Sequence, residues 1–265
     1  MPRRIPSTPQ EFVDWMSENL TIEFSSSRIV NHYGLVVHRL KDQVVTSPFW
    51  QALLGEYGNW NELVRVDRGQ TLFMTTEPTE PVTKTFESIL DKSFRVNVLR
   101  NQDRWPEAPS DGWVTPSNWF TSFTDVVRTT LKVRYLDDVR TVARHLVSIA
   151  RASGTEYRDP TYEAGFDGYY AVQFVALIDV SIPDLTLIDN EEFQLGFEIK
   201  ITTQLKDVIE PLLHDIYVQD RSAGQTSHQW AWDHESKEFS AHYLGHMVQY
   251  IEGMIATTRD RLRKE

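Results

Sequence analysis

The chain lacks cysteine, lacks long apolar runs and carries fewer basic than acidic residues. Without cysteine it has no disulfide, no thiol nucleophile and no cysteine-ligated metal. No window approaches the ~20 apolar residues that a membrane span requires. Residues 1–7 include two arginines and two prolines but no apolar stretch, unlike a signal peptide or a twin-arginine export signal. We therefore expect a cytoplasmic protein with no membrane partner.

The charge balance argues against polyanionic partners. The 265 residues include 27 Lys and Arg against 38 Asp and Glu, a formal net charge of −11. A surface of this sign repels phosphate backbones and disfavours tRNA, although a local basic cleft remains compatible with a small nucleotide. With 40% hydrophobic residues, the chain is long enough to bury a substantial core.

Hydrophobic periodicity and capping signals predict helices and strands along the whole chain. Helices are expected up to about residue 20, at 27–45, from 48 onward, and at 85–99, 137–151, 204–218 and 234–261. Strands are expected at 72–75, 126–135, 169–182 and 193–202, with a long loop at 101–118. We expect residues 1–70 to form a helical N-terminal extension packed on a core of residues 71–265.

The most informative feature is a carboxylate on a strand. The apolar Phe197, Ile199 and Ile201 alternate with polar residues, so a period of two places Glu198 on the opposite face. An amphipathic helix follows directly. A carboxylate in this position faces a polar cleft or solvent, where it can serve as a catalytic acid or base.

This strand and helix resemble a unit of the RelA/SpoT-type alarmone synthetases, whose pattern is Glu-Ile-Gln-x-Arg-Thr followed one helix later by His-Asp. The pattern is matched at Glu198, Ile199, Thr203, His214 and Asp215, while Lys200 and Thr202 replace the Gln and the Arg. The resemblance implies that Glu198 is catalytic, with Glu210 and His214 supporting it from the helix.

Residues 82–92 resemble the donor-nucleotide motif of the same family, Arg-x-Lys-x-x-x-Ser-x-x-x-Lys. They match it at Lys84, Ser88 and Lys92. On one helix these side chains would share a stripe about 80° wide that could follow a triphosphate. The alternative is an ordinary solvated face. The resemblance implies that the three residues bind the donor, ATP.

Asp125-Val-Val-Arg128 falls where the family has Asp-x-x-Gly at the start of a strand. The family's aspartate binds magnesium, so the resemblance implies that Asp125 and Glu198 hold Mg²⁺. Arg128 replaces the family's glycine, and we expect its charge to help bind the donor phosphates. Carboxylate oxygens are the hard ligands that this ion prefers. The alternative is that Asp125 only caps or turns the chain.

Arg158-Asp159 and the segment from Gly168 to Gln173 reproduce the spacing of the family's acceptor loop. The family's tyrosine stacks on guanine, so the resemblance implies that Arg158, Gly168, Tyr169 and Gln173 bind the acceptor. Strand alternation turns Tyr169 away from the apolar face and predicts an exposed ring. A tyrosine that only packs the strand is the alternative.

Four arginines of the family pattern are absent, at Val82, Thr130, Tyr170 and Thr202. A charged hydrogen bond to phosphate is typically worth ~1.5–3 kcal/mol, so their loss weakens a phosphate site unless other cations replace them. Replacement charge is available from Lys200 in the donor site and from Arg128, Lys132 and Arg134 on the strand after Asp125.

The resemblance implies an α+β fold with a mixed sheet of about five strands flanked by helices, a helical N-terminal region and a long C-terminal helix. It also implies magnesium-dependent pyrophosphoryl transfer from ATP to the 3′-hydroxyl of an acceptor nucleotide. Two alternatives stay open, a toxin that modifies the 3′ end of tRNA and a nucleotide-binding scaffold that has lost activity. An oligomer or an antitoxin partner also stays open. Retention of both carboxylates favours an enzyme.

Overall fold

The computed structural model describes the backbone at residues 4–183, 190–223 and 228–262, and the side chains there except at 214–223 and 228–229. The α-helices are α1 (Pro9–Leu20), α2 (Ser27–Thr46), α3 (Pro48–Arg68), α4 (Phe86–Phe94), α5 (Trp119–Ser122), α6 (Asp138–Ala152), α7 (Gln204–Ala223) and α8 (Lys237–Leu262). The helical N-terminal region and the long C-terminal helix are confirmed. Among the described residues, none of the helices combines the length and the apolar character that a membrane span requires.

Five strands form one sheet in the order β1-β2-β5-β4-β3, which confirms the α+β class. They are β1 (Val82–Thr83), β2 (Val127–Val133), β3 (Glu156–Ala164), β4 (Tyr170–Pro183) and β5 (Asn190–Thr203). β1 is antiparallel to β2, and β3 is antiparallel to β4. Every second residue of β2 is buried, as a half-buried strand requires.

Two segments differ from the sequence expectation. β3 is mostly exposed and contains Pro160, features of an edge strand that leave no apolar alternation to detect. Residues 72–75, expected as a strand, contribute only a single bridge between Phe73 and Val133. The bridge is made by hydrogen bonds from Met74 N–H to the Lys132 carbonyl and from Arg134 N–H to the Leu72 carbonyl, while the Phe73 N–H donates to the Asn61 side chain at 2.8 Å.

The chain divides into two compact units, of which the first comprises residues 1–45, 81–128 and 178–197. Its core is aromatic: the ring of Phe24 lies 5.2 Å from that of Phe12 and 5.9 Å from that of Trp119. α1 begins where the Thr8 side chain accepts a hydrogen bond from the backbone N–H of Glu11, as an N-cap residue does.

The second unit comprises residues 46–80, 129–177 and 198–265. α8 packs closely on the turn before β4. A Cβ on Gly168 would lie 2.3 Å from the His242 carbonyl oxygen, and one on Gly245 would lie 2.5 Å from the Gly168 carbonyl oxygen. The backbones can approach this closely only because both positions are glycine.

Candidate functional site

Three charged residues of the first unit meet at a buried carboxylate. Asp125 Oδ2 accepts a hydrogen bond from Lys84 Nζ at 2.8 Å, and its Oδ1 accepts one from Lys92 Nζ at 2.5 Å. Only 11% of the Asp125 side chain is exposed, against 8% for Lys84 and 25% for Lys92. Lys84, Lys92 and Asp125 therefore form one group, the Asp125 cluster.

The local structure explains how the lysines converge. The Thr85 side chain accepts a hydrogen bond from the backbone N–H of Ser88 at 3.2 Å and caps α4. Lys84 therefore precedes the helix, which corrects the expected helical stripe of Lys84, Ser88 and Lys92. Ser88 is exposed, and its hydroxyl accepts a hydrogen bond from the Thr85 hydroxyl at 3.0 Å.

Within the Asp125 cluster, neighbouring charges and burial shift the pKa values in opposite directions. Burial alone would raise the pKa of Asp125, but the charges and hydrogen bonds of Lys92 and Lys84 outweigh it and lower that pKa to about 2. Burial also lowers the pKa of Lys84, because desolvation of its ammonium group outweighs the attraction of Asp125. Asp125 is therefore ionised at neutral pH.

An ionised Asp125 fits a magnesium site in its donor chemistry. Mg²⁺ is usually held by one or two carboxylates together with substrate phosphates rather than by a cage of protein ligands. In the described part of the chain, no group of three or more His, Asp or Glu side chains is arranged around a metal position. Each Asp125 oxygen accepts from one lysine and keeps a further lone pair for a cation.

Arg128 belongs to the same neighbourhood. Its Cα lies opposite that of Val82 in the pairing of β2 with β1. The Arg128 side chain is exposed, and its charge contributes to lowering the pKa of Lys84. Arg128 therefore lies near enough to Lys84 for the two positive charges to interact.

In the second unit, Glu198 and Lys200 lie on the polar side of β5. Phe197, Ile199 and Ile201 are fully buried, which confirms the predicted alternation. Glu198 and Lys200 are both partly buried. Lys200 Nζ pairs with the carboxylate of Glu210 on α7, so the cation proposed from sequence already has a protein counter-ion.

Tyr169 is less exposed than the sequence predicts. Its ring is partly buried against a small apolar cluster of Ile209, Leu213 and Ala241. The ammonium groups of Lys200 and Lys206 lie 5.5 and 5.2 Å from the centre of the ring. The ring therefore combines packing with cation–π contacts, which are worth roughly 0.5–2 kcal/mol each depending on solvation.

Two predicted acceptor residues lie apart from Tyr169. Arg158 is on the exposed strand β3, opposite Val175, whereas Ala164 at the end of β3 is opposite Tyr170. Arg158 is thus five residues along β4 from Tyr170, or about 17 Å at the usual rise of a strand. Gln173 donates to the Glu163 side chain at 3.2 Å, a contact between β4 and β3.

Asp207 and Lys206 are not identified by sequence reasoning. Asp207, in the first turn of α7, pairs with Lys132 of β2 at 2.9 Å. Lys206 is fully buried, although burial is unusual for lysine. The spacing of Asp207 and Glu210, three residues apart on a helix, is the only signal that could have indicated a shared acidic face.

His214 also lies on α7, but its side chain is outside the described residues.

A search of solved structures finds a similar fold in small alarmone synthetase 1 from Bacillus subtilis. The TM-score is 0.52 at 14% sequence identity, and the match covers 90% of this chain and 97% of that chain. The chain has the fold of the small alarmone synthetases. The structure of the same Bacillus protein bound to its product pppGpp matches with a TM-score of 0.51 at 14% identity, over 84% of this chain and 98% of that chain.

A GTP pyrophosphokinase family protein from Streptococcus pneumoniae gives a TM-score of 0.51 at 13% identity, over 89% of this chain and 93% of that chain. No family model and no curated protein matches the chain by sequence. The similarity inferred from scattered motifs is thus confirmed in three dimensions, as a likeness of fold.

Proposed function

We propose that this protein is a magnesium-dependent nucleotide pyrophosphokinase, which transfers the pyrophosphoryl group of ATP to the 3′-hydroxyl of an acceptor nucleotide. The observation that carries the proposal is the Asp125 cluster. Lys84 and Lys92 come from the family's donor motif, Asp125 comes from its metal motif, and the three side chains are in direct contact. The shared fold supports the same activity.

The donor phosphates would be bound by Lys84, Lys92, Ser88 and Arg128. The two lysines are held by Asp125 at 2.5–2.8 Å and are therefore already oriented before a nucleotide binds. Such preorganised cations stabilise charge that develops on phosphate oxygens without reorganising during the reaction. Asp125 would hold the magnesium ion, which when bound neutralises charge on the phosphates.

Glu198 would act as the general base. In the transfer, the 3′-oxygen of the acceptor forms a bond to the β-phosphorus of ATP, and the proton of the 3′-hydroxyl passes to the Glu198 carboxylate. The bond between that phosphorus and the α-phosphate oxygen breaks, and AMP leaves. The burial of the apolar side chains of β5 supports this role, because it directs Glu198 to the polar side of the strand.

The acceptor base would stack on Tyr169, with Lys200 beside the ring. The close packing of Gly168 against α8 fixes the turn that presents this tyrosine. Arg158 and Gln173 lie farther along β3 and β4, so any contribution from them to the acceptor would come from its periphery.

The direct test is mass spectrometry of nucleotides after incubation of the protein with ATP, magnesium and a panel of acceptors. We expect AMP together with an acceptor carrying an added 3′-diphosphate. Glu198→Gln should abolish both products while the far-ultraviolet circular dichroism stays unchanged. Glu192→Gln, an exposed glutamate on the same strand, is the matched control and should retain activity.

A nucleotide-binding scaffold is the second candidate, and one observation favours it. Tyr169 is partly buried against the protein's own apolar cluster, whereas a stacking residue needs a free face. If the protein binds ATP but forms no AMP with any acceptor, and Glu198→Gln changes nothing, the scaffold replaces the enzyme.

A further inference from the structure

An open cavity in the second unit includes Lys200 in its lining. Its volume is about 530 Å³, within the range of pockets that hold small ligands. The polar lining consists of Thr79, Thr130, Lys132, Lys200, Asp207 and Glu210. Because Lys200 Nζ also lies 5.5 Å from the centre of the Tyr169 ring, one residue links the cavity to the expected stacking surface.

The charges of the side chains that line this cavity cancel. Lys132 pairs with Asp207 at 2.9 Å, and Lys200 pairs with Glu210. Both carboxylates come from α7, three residues apart, and therefore lie on one side of the helix. The lining thus has two cations, two anions and no net positive charge.

A neutral lining is unsuited to a polyphosphate. A single phosphate carries about −1.5 to −2 charges at neutral pH, and each further phosphate adds negative charge. To bind a chain of phosphates, the lysines must leave Asp207 and Glu210, which would then lie as uncompensated anions beside the ligand. Like charges brought together in this way select against the more highly charged of two related ligands.

We propose that this cavity receives an acceptor nucleotide with a single 5′-phosphate, and that Asp207 and Glu210 exclude 5′-di- and triphosphates. This inference rests on the proposed function, since it identifies the ligand with the acceptor of the transfer. The threonines supply hydrogen bonds for ribose hydroxyls, and either lysine can turn toward one phosphate while the other keeps its carboxylate partner.

The experiment compares wild-type protein with the double variant Asp207→Asn and Glu210→Gln. With magnesium and a saturating non-hydrolysable ATP analogue to occupy the proposed donor site, isothermal titration calorimetry measures the binding of guanosine and adenosine 5′-mono- and 5′-triphosphates. We expect the double variant to bind triphosphates at least about tenfold more tightly and monophosphates within about threefold of wild type. Glu62→Gln with Asp67→Asn removes two exposed carboxylates from α3 of the same unit and is the control for net charge.

Turnover separates this inference from the proposed function. We expect wild-type kcat/KM to be at least about tenfold higher for monophosphate than for triphosphate acceptors. If turnover favours triphosphates, or occurs only on tRNA, the inference is overturned and pyrophosphoryl transfer stands. If no acceptor is modified but the double variant gains triphosphate affinity as stated, the proposed function fails and the selectivity stands. Equal effects on both ligands, effects matched by the control, or no binding at all overturn the inference.

Discussion

At the scale of single residues, buried charge is concentrated around Asp125. Its carboxylate keeps two ammonium groups of limited exposure in place, and those ammonium groups in turn keep it ionised. Removing one partner of such a group lowers the free energy of unfolding by more than the whole group contributes to it, because the remaining charges stay desolvated. The proposed donor site and the stability of the first unit should therefore depend on the same residue.

Asp125→Asn should lower the free energy of unfolding by about 3 kcal/mol, because Lys84 and Lys92 would face a neutral amide. Urea denaturation measures this change. Asp91→Asn is the matched control, since Asp91 pairs with Arg95 on the surface and 41% of its side chain is exposed. The control should change stability by no more than about 0.5 kcal/mol. A similar small change in Asp125→Asn would show that the cluster contributes nothing to folding.

Protonation of Asp125 in acid should lower the stability of the protein. Its pKa is lowered to about 2 from the ordinary aspartate value of 3.8, so the folded state binds protons less readily than the unfolded state. The resulting stabilisation is present above about pH 4 and is lost as the pH falls through about 2, at a cost of roughly 2 kcal/mol. Unfolding free energies measured from pH 6 to pH 2 should show a smaller acid loss in Asp125→Asn than in wild type. Parallel profiles would contradict this assignment.

Tyr169→Ala should affect both stability and acceptor use. Its ring packs on the apolar cluster of α7 and α8, so we expect a loss of about 1–3 kcal/mol in the free energy of unfolding. Loss of base stacking should lower kcat/KM for the acceptor roughly five- to a hundredfold. Tyr162→Ala, in the exposed strand β3, is the control and should change neither the free energy of unfolding nor kcat/KM for the acceptor. Destabilisation without any change in acceptor use would favour the scaffold.

At the scale of elements, α8 depends on close backbone contact for its docking. The Gly168 turn has φ +74° and lies directly against the helix. Farther along α8, the Tyr170 hydroxyl donates to Glu252 Oε2 at 2.5 Å. Burial raises the pKa of Glu252, although its hydrogen bonds from Thr203 and Tyr170 and the charge of Lys206 oppose that rise. The helix therefore covers both the Gly168 turn and the hydroxyl of Tyr170.

Gly245→Ala should displace α8 and lower the free energy of unfolding by about 2 kcal/mol or more, since its Cβ would lie 2.5 Å from the Gly168 carbonyl oxygen. Thermal unfolding and limited proteolysis at α8 measure the two effects. Gly253→Ala, in the same helix with no atom within 4 Å of the new Cβ, should instead stabilise by about 0.5–1 kcal/mol. Equal behaviour of the two variants would show that close packing at Gly245 is unimportant.

At the scale of the whole molecule, the formal net charge of −11 opposes long polyanions, whereas the Asp125 cluster acts only over a few ångströms. Screening at physiological salt limits surface fields to about 8 Å, so a small nucleotide responds mainly to the lysines near it. A polynucleotide also experiences the surrounding acidic surface.

The protein should therefore not retard tRNA in a gel-shift assay at 150 mM salt, about the physiological ionic strength, and should show at most weak binding at low salt. A complex that survives at this salt concentration would contradict the expectation and would favour the tRNA-modifying alternative. Charge reversal at Arg128 (Arg128→Glu) would then test whether the exposed basic residue of β2 contacts the RNA.

The features that the sequence could predict arise from interactions between residues that are close together along the chain. Caps and apolar periodicity depend on neighbouring residues, so the helices, the alternating strands β2, β4 and β5 and the burial of Phe197, Ile199 and Ile201 follow from the chain itself. The exposed edge strand β3 has no such signal. Motif spacing likewise identified Lys84, Lys92 and Asp125 as candidates.

Only the tertiary structure decided how those candidates are used, because ion pairs between distant residues depend on the path of the chain rather than on local pattern. Asp125 meets Lys84 across 41 positions and Lys92 across 33. Packing of α7 and α8 partly covers Tyr169, which strand alternation alone predicts to be exposed. Asp207 and Glu210 neutralise Lys132 and Lys200 because α7 brings its acidic side to them. The sequence by itself determined which residue types were available for phosphate chemistry, and the fold determined which of their charges are already balanced.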